Sequence, residues 1–428
     1  MRITAVEFRE LKVPYGPEGY QPSWLPGVTQ HVFPQSLVRL FTDEGHVGIS
    51  STNCFGDEVI EANSQLAPML LGMRLDTKED LRNIWVKLLE KKSTVDPPSM
   101  LGITLEEAGK QNEDKSVNWG TVLCNLLREP TKIGLFKSKN IQVENRFGYL
   151  DVALWDLLGK QKGLPIADLL GKKRDRIRAY VSTGEVISPE IVEFVDDCQA
   201  EGFDCVKLRV NDPDTAGTEF NHLREVIENY REIEVGVDAN QGWSLLPPYW
   251  SRSDAMKAGR VMNELGVSWL EEPLGCLDTT GIKQLSDELE IEIVGGELEA
   301  GVERFNQLIK AYDTLNPDVC MSTGLSEGQS IATTARENGV EYTPHTWDLG
   351  PGVAAGVQLA CAIENCTRLE YPWDPSWPVE YRDSILESPI EASNGHLELP
   401  EQPGLGVSLD MDYVRDHTVR TVRLGDRS

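Results

Sequence analysis

The 428-residue chain has no run of the roughly 20 consecutive apolar residues that a bilayer-spanning helix needs. Its first residues, MRITAVEFRELKVP, lack the apolar stretch and small-residue cleavage site of a secretory leader. A cytoplasmic protein with no membrane partner is therefore expected. Cationic residues are also scarce: 41 Lys and Arg stand against 69 Asp and Glu, a net charge of −28. A surface so acidic repels phosphate backbones, so no nucleic-acid partner is expected. Two readings of the excess acid stay open, adaptation to high salt and an ordinary acidic enzyme. The eight cysteines include no CxxC pair. Several lie in apolar runs such as DVCMS and LACAIENC, so buried free thiols are expected rather than a zinc site.

What is present begins with alternation. MRITAVEFREL and SLVRLFTDEGHVGIS alternate apolar with polar residues, and the turn DEGH joins the halves of a hairpin. Between them PYGPEGYQPSWLPG, rich in Pro and Gly, reads as a loop carrying Tyr20 and Trp24. Residues 57–96 read as helices and 94–120 as a polar insertion. NRFGYLDVALWDLLGKQKGLPIADLLG predicts a strongly amphipathic helix stopped by Gly and Pro. From about residue 177 short β-rich segments recur: RIRAYVS, CVKLRV, EVGVDAN, VSWLEEP, IEIVGGE, DVCMST, VEYTPH and TRLEYP. Helical segments separate most of them, which means βαβ units, a parallel sheet and, with eight strands, a closed barrel.

The strand ends carry the chemistry. They hold Lys207 and Arg209, Asp238 and Asn240, Glu271 and Glu272, Glu297, Thr323, His345 and Glu370. The intervals from Arg209 onward through Asp238, Glu271, Glu297, His345 and Glu370 are 29, 33, 26, 48 and 25 residues. One strand–helix–strand unit spans about 25–33 residues, so all fall at the C-terminal mouth, where barrels of this kind hold their sites. Asp238, Glu271 and Glu297 would converge there, and three carboxylates repel unless a cation neutralises them. All-oxygen ligands suit Mg2+, with Mn2+ as an alternative. Lys207 and Arg209 alternate onto one face of their strand and enter the barrel. Arg209 stays charged and is a poor base, whereas neighbouring cations can tune a lysine such as Lys207. His345 is the best acid–base candidate by residue type. Glu370 either hydrogen-bonds a substrate carboxylate or pairs with Lys207.

The motifs VDANQ, WLEEP, GGE and TPHTWDLGPG, the helix GYLDVALWDLLGKQKGLPIADLLG, LEYPWD and PGLGVSLD together resemble the mandelate racemase and muconate lactonizing branch of the enolase superfamily. The likeness covers nearly the whole chain. It implies an α/β fold, a (β/α)7β TIM-like barrel over residues 141–375. An α+β capping domain would form from residues 1–140, with a C-terminal segment, 376–428, returning to it. It implies Asp238, Glu271 and Glu297 as ligands of Mg2+ and His345 as the seventh-strand histidine. Glu370 matches an acid that hydrogen-bonds the substrate carboxylate, and Asn240 a frequent substrate contact. Lys207 and Arg209 fill a K-x-K position whose second member is usually the proton-transferring lysine. The family's histidine is usually partnered by an Asp from the sixth strand. Here Thr323 holds that place and Asp318 lies too early, so a broken dyad is expected.

The resemblance implies abstraction of the proton next to a carboxylate through an enediolate. With one good acid–base group, dehydration of a sugar acid is the favoured outcome. Cycloisomerisation of an anhydro-sugar acid, shared by family members with the HTW context, is the closest rival. Racemisation or epimerisation, and a non-catalytic carboxylate-binding relative, complete the alternatives. Specificity would come from the loop around Tyr20, Trp24 and His31 and from Asn53–Phe55. The expected partner is a small sugar-acid carboxylate, and the expected assembly a homo-oligomer.

Overall fold

A computed structural model describes residues 1–52, 65–92, 147–242 and 249–425. The 94–120 insertion and Asn53–Phe55 lie outside the described residues. The first sheet is antiparallel. β1 (Ile3–Pro14) pairs with β2 (Val32–Thr42), and β2 with β3 (Val47–Thr52) through the expected tight turn. The last strand of the chain, β13 (Thr418–Gly425), adds to the other side of β1 in antiparallel register. The polar tail thus ends as an edge strand of the N-terminal sheet. Helix α1 (Lys78–Lys92) follows the sheet in sequence.

Helix α2 (Gly148–Lys162) overturns the amphipathic expectation, because every residue from Gly148 to Gly159 is buried. It runs between the cap sheet and the barrel and so has no solvated face, as all-round apolar helices do not. The contact is close: a Cβ on Gly48 of β3 would lie 2.4 Å from the Ala153 carbonyl oxygen. Two buried acids fix this helix on either side. Asp156 accepts hydrogen bonds from the Ile49 and Leu405 N–H groups, both at 2.8 Å, and Asp151 accepts from Ser326 N–H and Oγ, both at 2.8 Å. Burial pushes Asp151 up to about 7 even though these donors oppose it.

The second sheet is the barrel. Its parallel strands are β4 (Arg176–Val186), β5 (Cys205–Arg209), β6 (Glu234–Asp238), β7 (Trp269–Glu271), β8 (Glu292–Gly295), β9 (Thr314–Leu315), β10 (Glu341–Tyr342) and β11 (Arg368–Pro372). They are ordered by sequence, except that β11 returns beside β4. The helices between them are α3 (Pro189–Ala200), α4 (Thr218–Asn229), α5 (Arg252–Leu265), α6 (Thr279–Glu288), α7 (Val302–Leu308), α8 (Gly324–Glu337) and α9 (Gly350–Ala360). The short β12 (His396–Glu398) pairs antiparallel with β4. This is an α/β barrel with an N-terminal cap. The segment DVCMST is not a strand, contrary to the reading from sequence. The sixth strand ends at Leu315, and Val319–Thr323 form a π-helical turn that leads into α8. Among the described residues no helix is long and apolar enough to cross a membrane. The six described cysteines are free and buried.

Candidate active site

Parallel register sets the level of the site. Arg209, Asp238 and Glu271 are direct partners across β5, β6 and β7. The mouth also receives Glu297 just beyond β8, His345 after β10 and Glu370 within β11. All these side chains, with Lys207 and Asn240, are at most 5 % exposed. Asn240 and Glu272, each just past a strand end, adopt positive φ of 47° and 44°. Such strain in a side-chain-bearing residue concentrates at functional sites.

Charge at the mouth is paired closely. Lys207 Nζ lies 2.7 Å from Glu271, 2.8 Å from Glu370 and 3.5 Å from Asp238. Burial lowers its pKa, but Glu271 and Glu370 outweigh that and hold the ammonium charged. Arg209 contacts Asp238, and its Nε donates to the Thr183 carbonyl at 2.7 Å, so its guanidinium is spent on neighbours. Burial raises Glu271 to about 7, against the pull of Lys207. Burial likewise takes Glu297 to about 8, against His345. Glu370 moves the other way, because Lys207 and His345 outweigh its burial and hold it well below the usual carboxylate range.

His345 supplies the main correction to the sequence reading. Its Nδ1 lies 2.7 Å from Asp318 Oδ2, and its Nε2 lies 3.1 Å from Glu297. The dyad is intact. Asp318 follows the true sixth strand, bridges His345 in parallel, and caps the π-helical turn through Met321 N–H. A strand assigned to DVCMST placed that carboxylate at the wrong end. The signal was nonetheless present, since Asp318 precedes His345 by 27 residues, one barrel unit. Burial lowers the His345 pKa, but Glu297, Glu370 and Asp318 outweigh it and carry it to about 10.

The loop between β1 and β2 lies over this mouth. Tyr20 is fully buried, stacks on Tyr15 at 4.7 Å and lies close to Trp347. A Cβ on Gly184 would fall 1.7 Å from the Tyr20 hydroxyl, so only glycine lets the loop descend this far. That hydroxyl is buried without a hydrogen-bond partner. Trp24 is half-buried and packs edge-on to Trp347, whose ring carries Arg209 at 5.4 Å. Ser23, which the sequence did not single out, donates to Asn240 Oδ1 at 2.5 Å. His31 is exposed beside Gly19 at the outer end of the loop, not gathered with the mouth residues. A loop tip has no periodicity, so sequence could not tell which of its side chains point inward.

The three acids differ from expectation in one respect. Among the described residues, no three His, Cys, Asp or Glu side chains already surround one point. Each acid is claimed by a nearer cation, Arg209, Lys207 or His345. Glu271 Oε2 and both oxygens of Glu272 are nevertheless buried without hydrogen-bond partners. Beyond the effect of burial, Asp238 raises the pKa of Glu271, Asp238 and Glu271 raise that of Glu297, and all three raise that of Glu272. Orphaned, mutually repelling carboxylate oxygens are the environment a hard divalent cation fits, and Asp238, Glu271 and Glu297 could hold one.

Parallel strands in one register, a cap sheet, and a mouth of carboxylates facing Lys, Arg and His define an α/β-barrel protein with a buried cluster of ionisable groups at its mouth. Residues 190–413 match the family described as enolase C-terminal domain-like. The chain belongs to the enolase superfamily, in its mandelate racemase and muconate lactonizing branch. It is 31 % identical over 314 residues to the D-galactarolactone cycloisomerase of Agrobacterium fabrum, covering 69 % of this chain and 78 % of that one. The crystal structure of L-talarate/galactarate dehydratase from Salmonella typhimurium superposes with a TM-score of 0.76 at 25 % identity, covering 100 % of this chain and 94 % of that one. L-talarate dehydratase from a Polaromonas species, complexed with Mg and L-glucarate, gives 0.76 at 24 % identity, with 100 % of both chains covered, and shows the shared fold. The chain is an enzyme of lyase or isomerase type.

Proposed function

We propose that this enzyme removes the proton next to the carboxylate of a sugar acid and then expels a β-hydroxyl, as a Mg2+-dependent dehydratase. The observation that carries the reading is the asymmetry of the mouth. One side holds a histidine oriented by a carboxylate, and the other holds two cations already bound to acids. A racemase needs a competent base on each face. Here Arg209 does not titrate and Lys207 is ion-paired with Glu271 and Glu370, so His345, oriented by Asp318, is assigned as the group that takes and returns the proton.

In this reading Asp238, Glu271 and Glu297 hold the cation. When bound, it supplies positive charge that offsets the pull of Glu297 on His345 and favours loss of the α-proton. Asp318 fixes the imidazole with its Nδ1 proton inward, leaving Nε2 to accept the α-proton. The same nitrogen then protonates the departing hydroxyl. Lys207 stabilises negative charge developing on the carboxylate. Glu370 holds Lys207 in place and accepts from Thr346 N–H at 3.0 Å, which favours the pairing role among the two weighed from sequence. The orphan hydroxyl of Tyr20, with Trp24 and Asn240, meets the polyol end of the substrate, and the loop excludes water. We further propose a (β/α)7β count for the barrel over residues 141–375, with 1–140 as the cap and 376–428 as a segment that passes β4 through β12 and returns to the cap through β13.

The likeness to a galactarolactone cycloisomerase supports a second reading, ring opening of an anhydro or lactone sugar acid at the same centre. The intact dyad argues against a non-catalytic relative. A sugar-acid library screened with Mg2+ by a keto-acid assay and product mass separates them. Dehydration shows a keto acid lighter by one water, whereas cycloisomerisation shows no change of mass. EDTA should abolish turnover and Mg2+ restore it, and His345→Asn should stop both product formation and α-proton exchange with solvent. Full turnover in metal-free protein, or in His345→Asn, would overturn the assignment.

A further inference from the structure

Residues 343–349 join β10 to α9 and carry the histidine. A base displaced by about 1 Å loses rate on the order of a hundredfold, so this connection needs fixed anchors. One anchor is in the barrel. Thr346 donates through its N–H to Glu370 Oε2 at 3.0 Å and through Oγ1 to the Glu370 carbonyl at 2.6 Å.

The other anchor reaches out of the barrel. Asp348 Oδ1 accepts from Gln35 Nε2 of β2 at 2.7 Å, from Ser51 Oγ of β3 at 3.4 Å and from Leu349 N–H at 2.7 Å. Asp348 is 3 % exposed, and Gln35 and Ser51 are each 1 % exposed. The carboxyl is also confined from behind, since a Cβ on Gly352 would lie 2.5 Å from Asp348 Cβ and Oδ2. Burial, helped by the charge of Asp318, pushes Asp348 up to about 8. β2 begins at Val32, where the loop over the mouth ends.

We propose that Asp348 is a positioning residue, the acceptor through which the cap sheet fixes the segment carrying His345. Among the described residues its side chain accepts from Gln35, Ser51 and Leu349 and is not bonded to Asp238, Glu271 or Glu297. Covering the mouth and placing the base then share one strand, because the β2 that follows the loop also donates Gln35 to Asp348.

The test reads the imidazole directly. Histidine-labelled protein with Mg2+ at neutral pH is compared by NMR with His345→Asn, which identifies the His345 Nδ1–H signal among the six histidines. Asp348→Ala should speed solvent exchange of that proton by about tenfold or broaden it away, and Gln35→Ala should act in the same direction. Asp348→Asn, which keeps an acceptor oxygen, should restore the parental signal. Lys160→Met removes a different tie between α2 and β3, the 2.8 Å bond to the Val47 carbonyl, and should lower Tm without moving the signal. A parental signal in folded Asp348→Ala would overturn the proposal, as would an Asp348→Asn signal as degraded as that of Ala. If Asp348→Ala does not fold, Gln35→Ala decides in the same terms. The inference takes the role of His345 from the proposed function, but the signal is read without substrate. A failed substrate screen therefore leaves it standing, and its own failure leaves the dehydratase reading standing.

Discussion

Replacing Asp318 by Asn tests the dyad most directly. The substitution keeps the size of the side chain and can keep the Oδ1 acceptor that caps Met321 N–H. It removes the negative charge 2.7 Å from His345 Nδ1, where Asp318 is 2 % and His345 5 % exposed. A hydrogen bond to a charged group contributes about 1.5–3 kcal/mol. At about 1.36 kcal/mol per tenfold in rate, α-proton exchange should fall by roughly ten- to hundredfold. The amide would also present N–H to Nδ1, forcing the proton onto Nε2, the nitrogen that must accept. The assay is deuterium wash-in at the α-carbon of the substrate, normalised to folded protein. A linked effect appears in stability. In metal-free protein, against the effect of burial, Glu297, Glu370 and Asp318 together raise the His345 pKa from 6.5 to about 10, so these pairings, of which the variant loses the Asp318 share, contribute fully below about 6.5 and are lost as pH rises through about 10. The Tm deficit of the variant should therefore be widest on the acid side and shrink toward alkaline pH. Exchange within twofold of the parent, with Tm curves that run parallel, would refute the dyad.

Two further outcomes follow from charge. Arg209→Lys can still face Asp238 but cannot also reach the Thr183 carbonyl and Ser182 Oγ, so turnover should drop about tenfold and Tm should fall; complete inactivity in a well-folded variant would show that Arg209 does more than neutralise Asp238. With a net charge of −28, raising KCl from about 0.1 M to about 1 M shortens the screening length from about 10 Å to about 3 Å, and Tm should rise by several degrees; a flat or falling Tm in a thermal melt would count against self-repulsion as the cost of the acidic surface.

The sequence by itself determined the class of fold and most of the residues that gather at the barrel mouth. Strand-end residues about one βαβ unit apart must share a level when parallel strands keep register, and Arg209, Asp238 and Glu271 do so directly. Such patterns are local properties, so the hairpin of the cap was readable from alternation, and most barrel strands from short β-rich segments set between helical ones. Tertiary structure alone decided the rest. It moved the sixth strand back to Thr314–Leu315 and turned VCMST into a π-helical turn, because an apolar run reads alike as strand or buried helix. That shift brought Asp318 onto His345. It buried α2 on all sides, since only the cap sheet on one face and the barrel on the other remove a solvated stripe. It also turned Tyr20 inward and left His31 outside, a choice made by contacts between segments far apart in the chain. Which cation claims which carboxylate, and how far each pKa moves, depends on distances of a few ångströms across the barrel, which only the assembled fold sets.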